Sequence, residues 1–335
     1  MVSIKKPFIS LLKLTVTVVV IVFLIGKLGW NDIVRTVTHA HPVWLISAFV
    51  IFFLSAWIGV AQWSILLTNR GIPLRFWRAF RLYFIGLFFN NFVIGGIVGD
   101  VVKVASIKSQ DGKGMAGLAA TFLDRFAGLW AMCGFAVIGS SILLGRGALN
   151  SGKIGTAVLA LLVTFVLFAG IMVFLMCKPV QAFVFKITDY FAILKKIRIK
   201  EILSEMIIEA NDFHVLGKVT LLSAVIQFLR IGVHICVAGS LGLLTSANYQ
   251  YFFIFVPIIA MLMTIPLPFG VREAAGGALF ALAGFPAQEA FVMGFLASVV
   301  GIAASLIGGV LFVADKIDLQ GKDNGKNIDC CSSSQ

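Results

Sequence analysis

The sequence predicts an all-α integral membrane protein, and three observations predict it. Of 335 residues, 60% are hydrophobic and 13% charged, with a mean hydropathy of +1.02. A soluble domain carries roughly 25% charged residues, so this much apolar surface could not be covered in water. The apolar runs are also continuous: Thr36 to Asn69 and Ile231 to Val271 contain no Asp, Glu, Lys or Arg. Finally, backbone groups in lipid must bond internally, which leaves helices or closed barrels. Barrel strands would alternate apolar and polar residues over about ten positions, and these runs do not. The abundance of Leu, Ile, Val and Phe excludes disorder, and the five Cys, scattered rather than spaced as a framework, exclude a disulfide scaffold.

A span needs about 20 mainly apolar residues. Full spans are predicted over 10–29, 43–67, 115–143, 154–177, 217–243 and 287–313. The first follows Lys5 and Lys6 but lacks an A-x-A cleavage site, and Lys27 and Trp30 mark its far end. It therefore reads as a retained span. Two further apolar stretches are interrupted, 82–112 by IGGIVGD and 250–285 by IPLPFGVRE. Pro266, Pro268 and Gly270 stand where a continuous helix would have to pass. Each stretch predicts a re-entrant hairpin, tolerated at membrane depth where it is buried in protein or lines a cavity.

The order span, span, hairpin, span then occurs twice. The prediction is about six full transmembrane helices plus two re-entrant hairpins in an inverted-topology repeat. Repeat 1 covers 1–143, repeat 2 covers 144–314, and 315–335 is expected to be a disordered cytoplasmic tail. The segment 179–216 is either a basic amphipathic stretch on the inner leaflet or a solvated connecting helix. With both hairpins re-entrant, twenty of the 27 Lys and Arg, Lys103 among them, fall on the cytoplasmic side and four outside. Positive-inside counting thus places both termini in the cytoplasm.

Three basic residues remain at membrane depth, Arg125, Arg230 and Arg272, beside the acids Asp100, Asp124 and Glu273. A charge at the bilayer centre costs at least about 2.5–3.5 kcal/mol on insertion scales. Six such groups, three of each sign, predict a hydrated, charge-paired interior. Each Arg either clamps helices or binds a ligand. Asp100 and Glu273 open the half-helices after the breaks, where the helix end is partially positive; they either cap those ends or take part in pairing and coupling. Gly95, Gly96, Gly99 and Gly270 let a ligand approach the free N–H groups there. The combination suits an anionic headgroup such as a phosphate.

Other chemistry is thin. His39, His41, His214 and His234 lack metal-ligand spacing, and no C-x-x-C, Walker A or dinucleotide fingerprint is present. No metal, no cofactor and no catalytic residue is predicted. The net charge of +12 lies on the membrane face and suits anionic lipid rather than nucleic acid.

The stretches NNFVIGGIVGDVVKVASI, TFLDRFAGLWAM and IPLPFGVREAAGGALFALAGF resemble the membrane domain of bacterial lysylphosphatidylglycerol synthases, which is shared with stand-alone flippase-like relatives. The resemblance covers nearly the whole chain and departs from the family at IGG, where relatives tend to have PGG. It implies an all-α domain of the bacterial cytoplasmic membrane that moves or accommodates anionic phospholipids or polyprenyl-phosphate-linked lipids between leaflets. By motif it implies roles for Gly95, Gly96, Gly99, Asp100, Asp124, Arg125, Gly270, Arg272 and Glu273; Arg230 enters on charge alone. The synthases carry a soluble aminoacyl-transfer domain after the membrane part, so no aminoacyl transfer is expected of this chain. The expected partners are membrane lipids, with an envelope-biosynthesis enzyme as a further candidate. Two alternatives stay open: a membrane-embedded lipid-modifying transferase, and a non-catalytic partner of an envelope-building enzyme.

Overall fold

Four long helices and two helical hairpins make up the described part of the chain. The computed structural model describes residues 38–92, 98–111, 113–145, 212–246, 248–262 and 271–332, with scattered helical positions at 35 and between 159 and 207. Side chains are described as far as Ala314, those of Phe92, Gln110, Asp111, Leu262, Val271 and Arg272 excepted. The expected span at 10–29, much of 154–177, most of 179–216 and the hairpin tips at 93–97 and 263–270 lie outside the described residues.

In chain order the helices are α1 (Pro42–Asn69), α2 (Phe76–Phe92), α3 (Val98–Asp111), α4 (Gly114–Gly145), α5 (Phe213–Ser240), α6 (Phe252–Leu262), α7 (Val271–Leu282) and α8 (Ala287–Ser332). Local chemistry sets their ends. Pro42 opens α1 at the position where a missing N–H costs nothing. Asp212 caps α5, its side chain accepting from the N–H groups of His214 and Val215 at 3.1 Å. Both α1 and α5 close on a glycine with positive φ, Gly71 at +67° and Gly242 at +69°. The backbone of α8 continues helical to Ser332, through 315–332, where a disordered tail is expected. That segment contains no Pro, so a helix nucleated in the apolar part meets no stop.

Four helices are long and apolar enough to cross a membrane: α1, α4, α5 and α8 as far as Ala314. Only 28–50% of their apolar windows is buried within the protein, so the rest of that surface requires an apolar solvent. The hairpin helices are shorter. At 1.5 Å per residue, the 11 and 12 described residues of α6 and α7 reach about 17–18 Å.

The second hairpin and the long helix after it keep the register of the first. The same 173 positions separate Gly114 from Ala287, where α4 and α8 begin, and Asp100 from Glu273, the acids in the first described turns of α3 and α7. Packing follows that correspondence. α1 and α5 pack along each other at the centre; α2 lies on α8 as α6 lies on α4; α3 meets α4 as α7 meets α8. Exchanging the halves leaves these partners unchanged. Small residues permit the closest contacts: Gly99 in α3 sits against the Gly86 carbonyl of α2, and Gly308 in α8 against the Phe84 backbone.

A methyl group at position 308 would collide with that backbone, which has no rotamer to yield. Gly308→Ala is expected to lower the stability of the purified protein in detergent by about 1–3 kcal/mol, measured by thermal or denaturant unfolding. Gly134→Ala, whose new methyl would meet no heavy atom within 4 Å, serves as the control and is expected to cause no loss.

Candidate functional site

Between the two hairpins lies a cavity of about 290 Å³, walled by α1 to α8, at the small end of ligand cavities. It draws polar groups from both halves. Half 1 supplies Asp100 and Lys103 from α3 and Asp124 and Arg125 from α4; half 2 supplies Arg230 and His234 from α5 and Glu273 from α7.

Asp100 is the hub of the charged wall. Its Oδ1 lies 3.0 Å from Lys103 Nζ, one turn along the same helix. Its Oδ2 accepts from Arg125 Nε at 2.7 Å, tying α3 to α4. The side chain of Lys103 is 6% exposed and that of Asp100 13%, whereas that of Arg125 is 43% exposed. Lys103 Nζ also stands over the rings of Trp63 and Tyr83, at 5.2 and 5.0 Å from their centroids. An ammonium removed from water is thus held by one carboxylate and two π faces. In chain order Lys103 is expected among the cytoplasmic cations; the structure buries it in the cavity instead, because i,i+3 spacing puts it on the face of Asp100.

A second network crosses three helices. Gln62 Nε2 in α1 donates to Asp124 Oδ1 at 2.8 Å, and Ser223 Oγ in α5 donates to Gln62 Oε1 at 3.0 Å. On the opposite wall Glu273 is 2% exposed, and its Oε1 accepts from Ser298 Oγ at 2.6 Å. The shared register is visible here too: Asp100 bonds to the residue 25 positions on, and so does Glu273. Elsewhere the halves diverge. Where half 1 has Lys103, Asp124 and Arg125, half 2 has Gly276, Ala297 and Ser298. One wall therefore carries charge while the other is cut back to small residues, which makes the space.

Arg230 and Gln227, one turn apart on α5, leave groups unused. Arg230 Nε and Gln227 Oε1 are buried with no hydrogen-bond partner. Buried donors and acceptors are normally satisfied, so these two mark where a guest would supply the bonds. His234 Nδ1 lies 3.0 Å from the Arg230 carbonyl; a carbonyl only accepts, so Nδ1 carries a proton.

Of the residues expected from sequence, Arg125, Arg230, Asp100, Asp124 and Glu273 come together around the cavity. Gly99 does not serve as expected: its N–H donates to Asn90 Oδ1 at 2.8 Å and its Cα faces Gly86, so the glycine closes the hairpin rather than admitting a ligand. Gly95, Gly96, Gly270 and the side chain of Arg272 lie outside the described residues. Sequence reasoning misses Gln62, Tyr83, Lys103, Ser223 and Gln227. The available signal is a lone amide inside an apolar span, as at Gln62 and Gln227. Among the described residues no group of three His, Cys, Asp or Glu forms a metal site.

Fold and cavity together define a multi-pass, all-α membrane protein with a charged chamber at its centre. Residues 10–311 match the family described as lysylphosphatidylglycerol synthase TM region, and the chain belongs to that family, a membrane domain related to lipid handling. None of the curated proteins and none of the solved structures compared with the chain matches it.

Removing one partner of a buried ion pair strands the other, at a cost of about 3–5 kcal/mol. Asp100→Asn strands Lys103 and is expected to lose stability toward the lower end of that range, since Arg125 retains access to solvent. Adding Lys103→Met is expected to recover part of the loss, read as a coupling energy in a double-mutant unfolding cycle.

Proposed function

We infer that this protein is a lipid transporter of the flippase type in the bacterial cytoplasmic membrane. The phosphate-bearing headgroup of an anionic phospholipid, or of a polyprenyl-phosphate-linked lipid, enters the cavity between the halves while its tails stay in the bilayer. Arg230 is the primary anchor and Arg125 a second; Arg272 is assigned the same role by its motif alone. One observation carries this: Arg230, half-buried, has a buried Nε without a hydrogen-bond partner and lines a cavity to which both hairpins contribute. A guanidinium is matched to phosphate oxygens in shape and charge. Family membership supports the lipid as guest. The correspondence of the two halves supports an inverted-topology repeat, whose halves rock to open the cavity to either leaflet. In this reading both termini face the cytoplasm, as the distribution of Lys and Arg favours, and the chain carries out no covalent chemistry.

Reconstitution in liposomes tests the assignment. Labelled phosphatidylglycerol or a polyprenyl phosphate is expected to equilibrate between leaflets faster than in protein-free vesicles. Arg230→Ala, in protein that still folds, is expected to slow movement at least about tenfold, the loss of one charge-assisted bond. Movement no faster than in protein-free vesicles for every anionic lipid tried would remove the assignment.

A further inference from the structure

The acids of the cavity are of two kinds. Asp100 and Glu273 occupy equivalent positions in the two halves, and each is tied to the residue 25 positions further on. Asp124 occurs in one half only; its counterpart in register is Ala297. Its carboxylate accepts from the Gln62 amide and makes no ion pair among the described residues. In the same cavity, Arg230 has no carboxylate partner among the described residues, and its Nε is buried without an acceptor. A carboxylate and a guanidinium thus share one chamber without joining each other, and each keeps its own desolvation cost. An anionic guest on Arg230 would satisfy the guanidinium and leave Asp124 facing a second negative charge. A proton on Asp124 removes that repulsion.

We propose that Asp124 couples headgroup binding to protons: its carboxylate takes up a proton when an anionic headgroup binds at Arg230 and releases it when the headgroup leaves. This rests on the lipid-transport reading above and adds the coupling ion to it. Charge balance supports the assignment. Among the described residues the wall carries Lys103, Arg125 and Arg230 against Asp100, Asp124 and Glu273. These six described charges cancel, and one proton offsets the charge of a singly charged anion that enters. A nearly neutral chamber is the condition that a low-dielectric surrounding favours in both states.

Asp124 shares the cavity with Tyr83 of α2, Asp100 and Lys103 of α3, Arg125 of its own helix, Arg230 and His234 of α5, and Glu273 of α7. Asp100 is held ionised by two cations. The Gln62 amide is oriented by Ser223, and its N–H can donate to the carbonyl oxygen of the acid, though more strongly to the carboxylate. Gln62 therefore holds Asp124 in place in both states. The sign follows from linkage: a bound anion raises the proton affinity of Asp124, so low pH strengthens anion binding and rising pH weakens it.

The experiment uses the purified full chain in nonionic detergent, titrated with dioctanoyl phosphatidylglycerol in weakly buffered solution with a pH indicator. The expected result is uptake of about one proton per lipid bound, with affinity falling up to about tenfold per pH unit over part of roughly pH 5–8. Asp124→Asn is expected to abolish both the uptake and the slope; if this variant does not fold, the proton count of the unsubstituted protein decides alone. Lipid binding without proton uptake overturns the coupling and leaves the transport reading standing. Uptake that survives in Asp124→Asn overturns it as well. So does preferential binding of phosphatidylethanolamine without proton uptake, because the carboxylate would then be meeting the guest's ammonium. Failure to bind any anionic lipid overturns both readings.

Discussion

A carboxylate shared by two cations is the contact on which the rest of the chamber depends. Asp100 stands at the start of a hairpin helix and joins Lys103 on that helix to Arg125 on the next. Without it, the buried Lys103 ammonium would lose its carboxylate and α3 its ion pair to α4. The pair also sets the electrostatic character of the wall: three charges from half 1 are fixed in place before any guest arrives. Preorganised charge of this kind needs no rearrangement on binding.

Close approach of backbones is the second constraint. Lipid offers no hydrophobic drive for helices to associate, so packing rests on van der Waals fit between small residues. Gly99 against Gly86 and Gly308 against Phe84 bring helices together at backbone distance. The first contact closes the α2–α3 hairpin on itself, and the second holds that hairpin against α8. Half 2 uses small residues differently. At Gly276, Ala297, Ser298 and Gly301 the side chains recede from the cavity and leave its volume.

The packing partners of one half have counterparts in the other, and α4 and α8 begin 173 positions apart, yet charge is concentrated in one half and space in the other. Only the acids at Asp100 and Glu273 recur, each bonded 25 positions on, which marks them as part of the shared scaffold. The groups without a counterpart are where the chemistry of the chamber was added.

Much of the fold was legible in the sequence, because lipid imposes simple rules. Continuous apolar length dictates helices, and α1, α4 and α5 fall within a few residues of the predicted spans. Intramembrane Arg125, Arg230, Asp100, Asp124 and Glu273 were legible for the same reason, since a charge in an apolar run needs a partner or a cavity. Tertiary structure alone decided which groups meet. Lys103 reads as a cytoplasmic cation until the hairpin folds its face against Trp63 and Tyr83. Gly99 reads as a ligand-facing turn residue until Asn90 takes its N–H. Gln62 and Ser223 bond across 161 positions of chain. Solvent selects the elements from local composition, whereas the pairing of polar groups depends on rotation and depth, which are settled only when the helices pack.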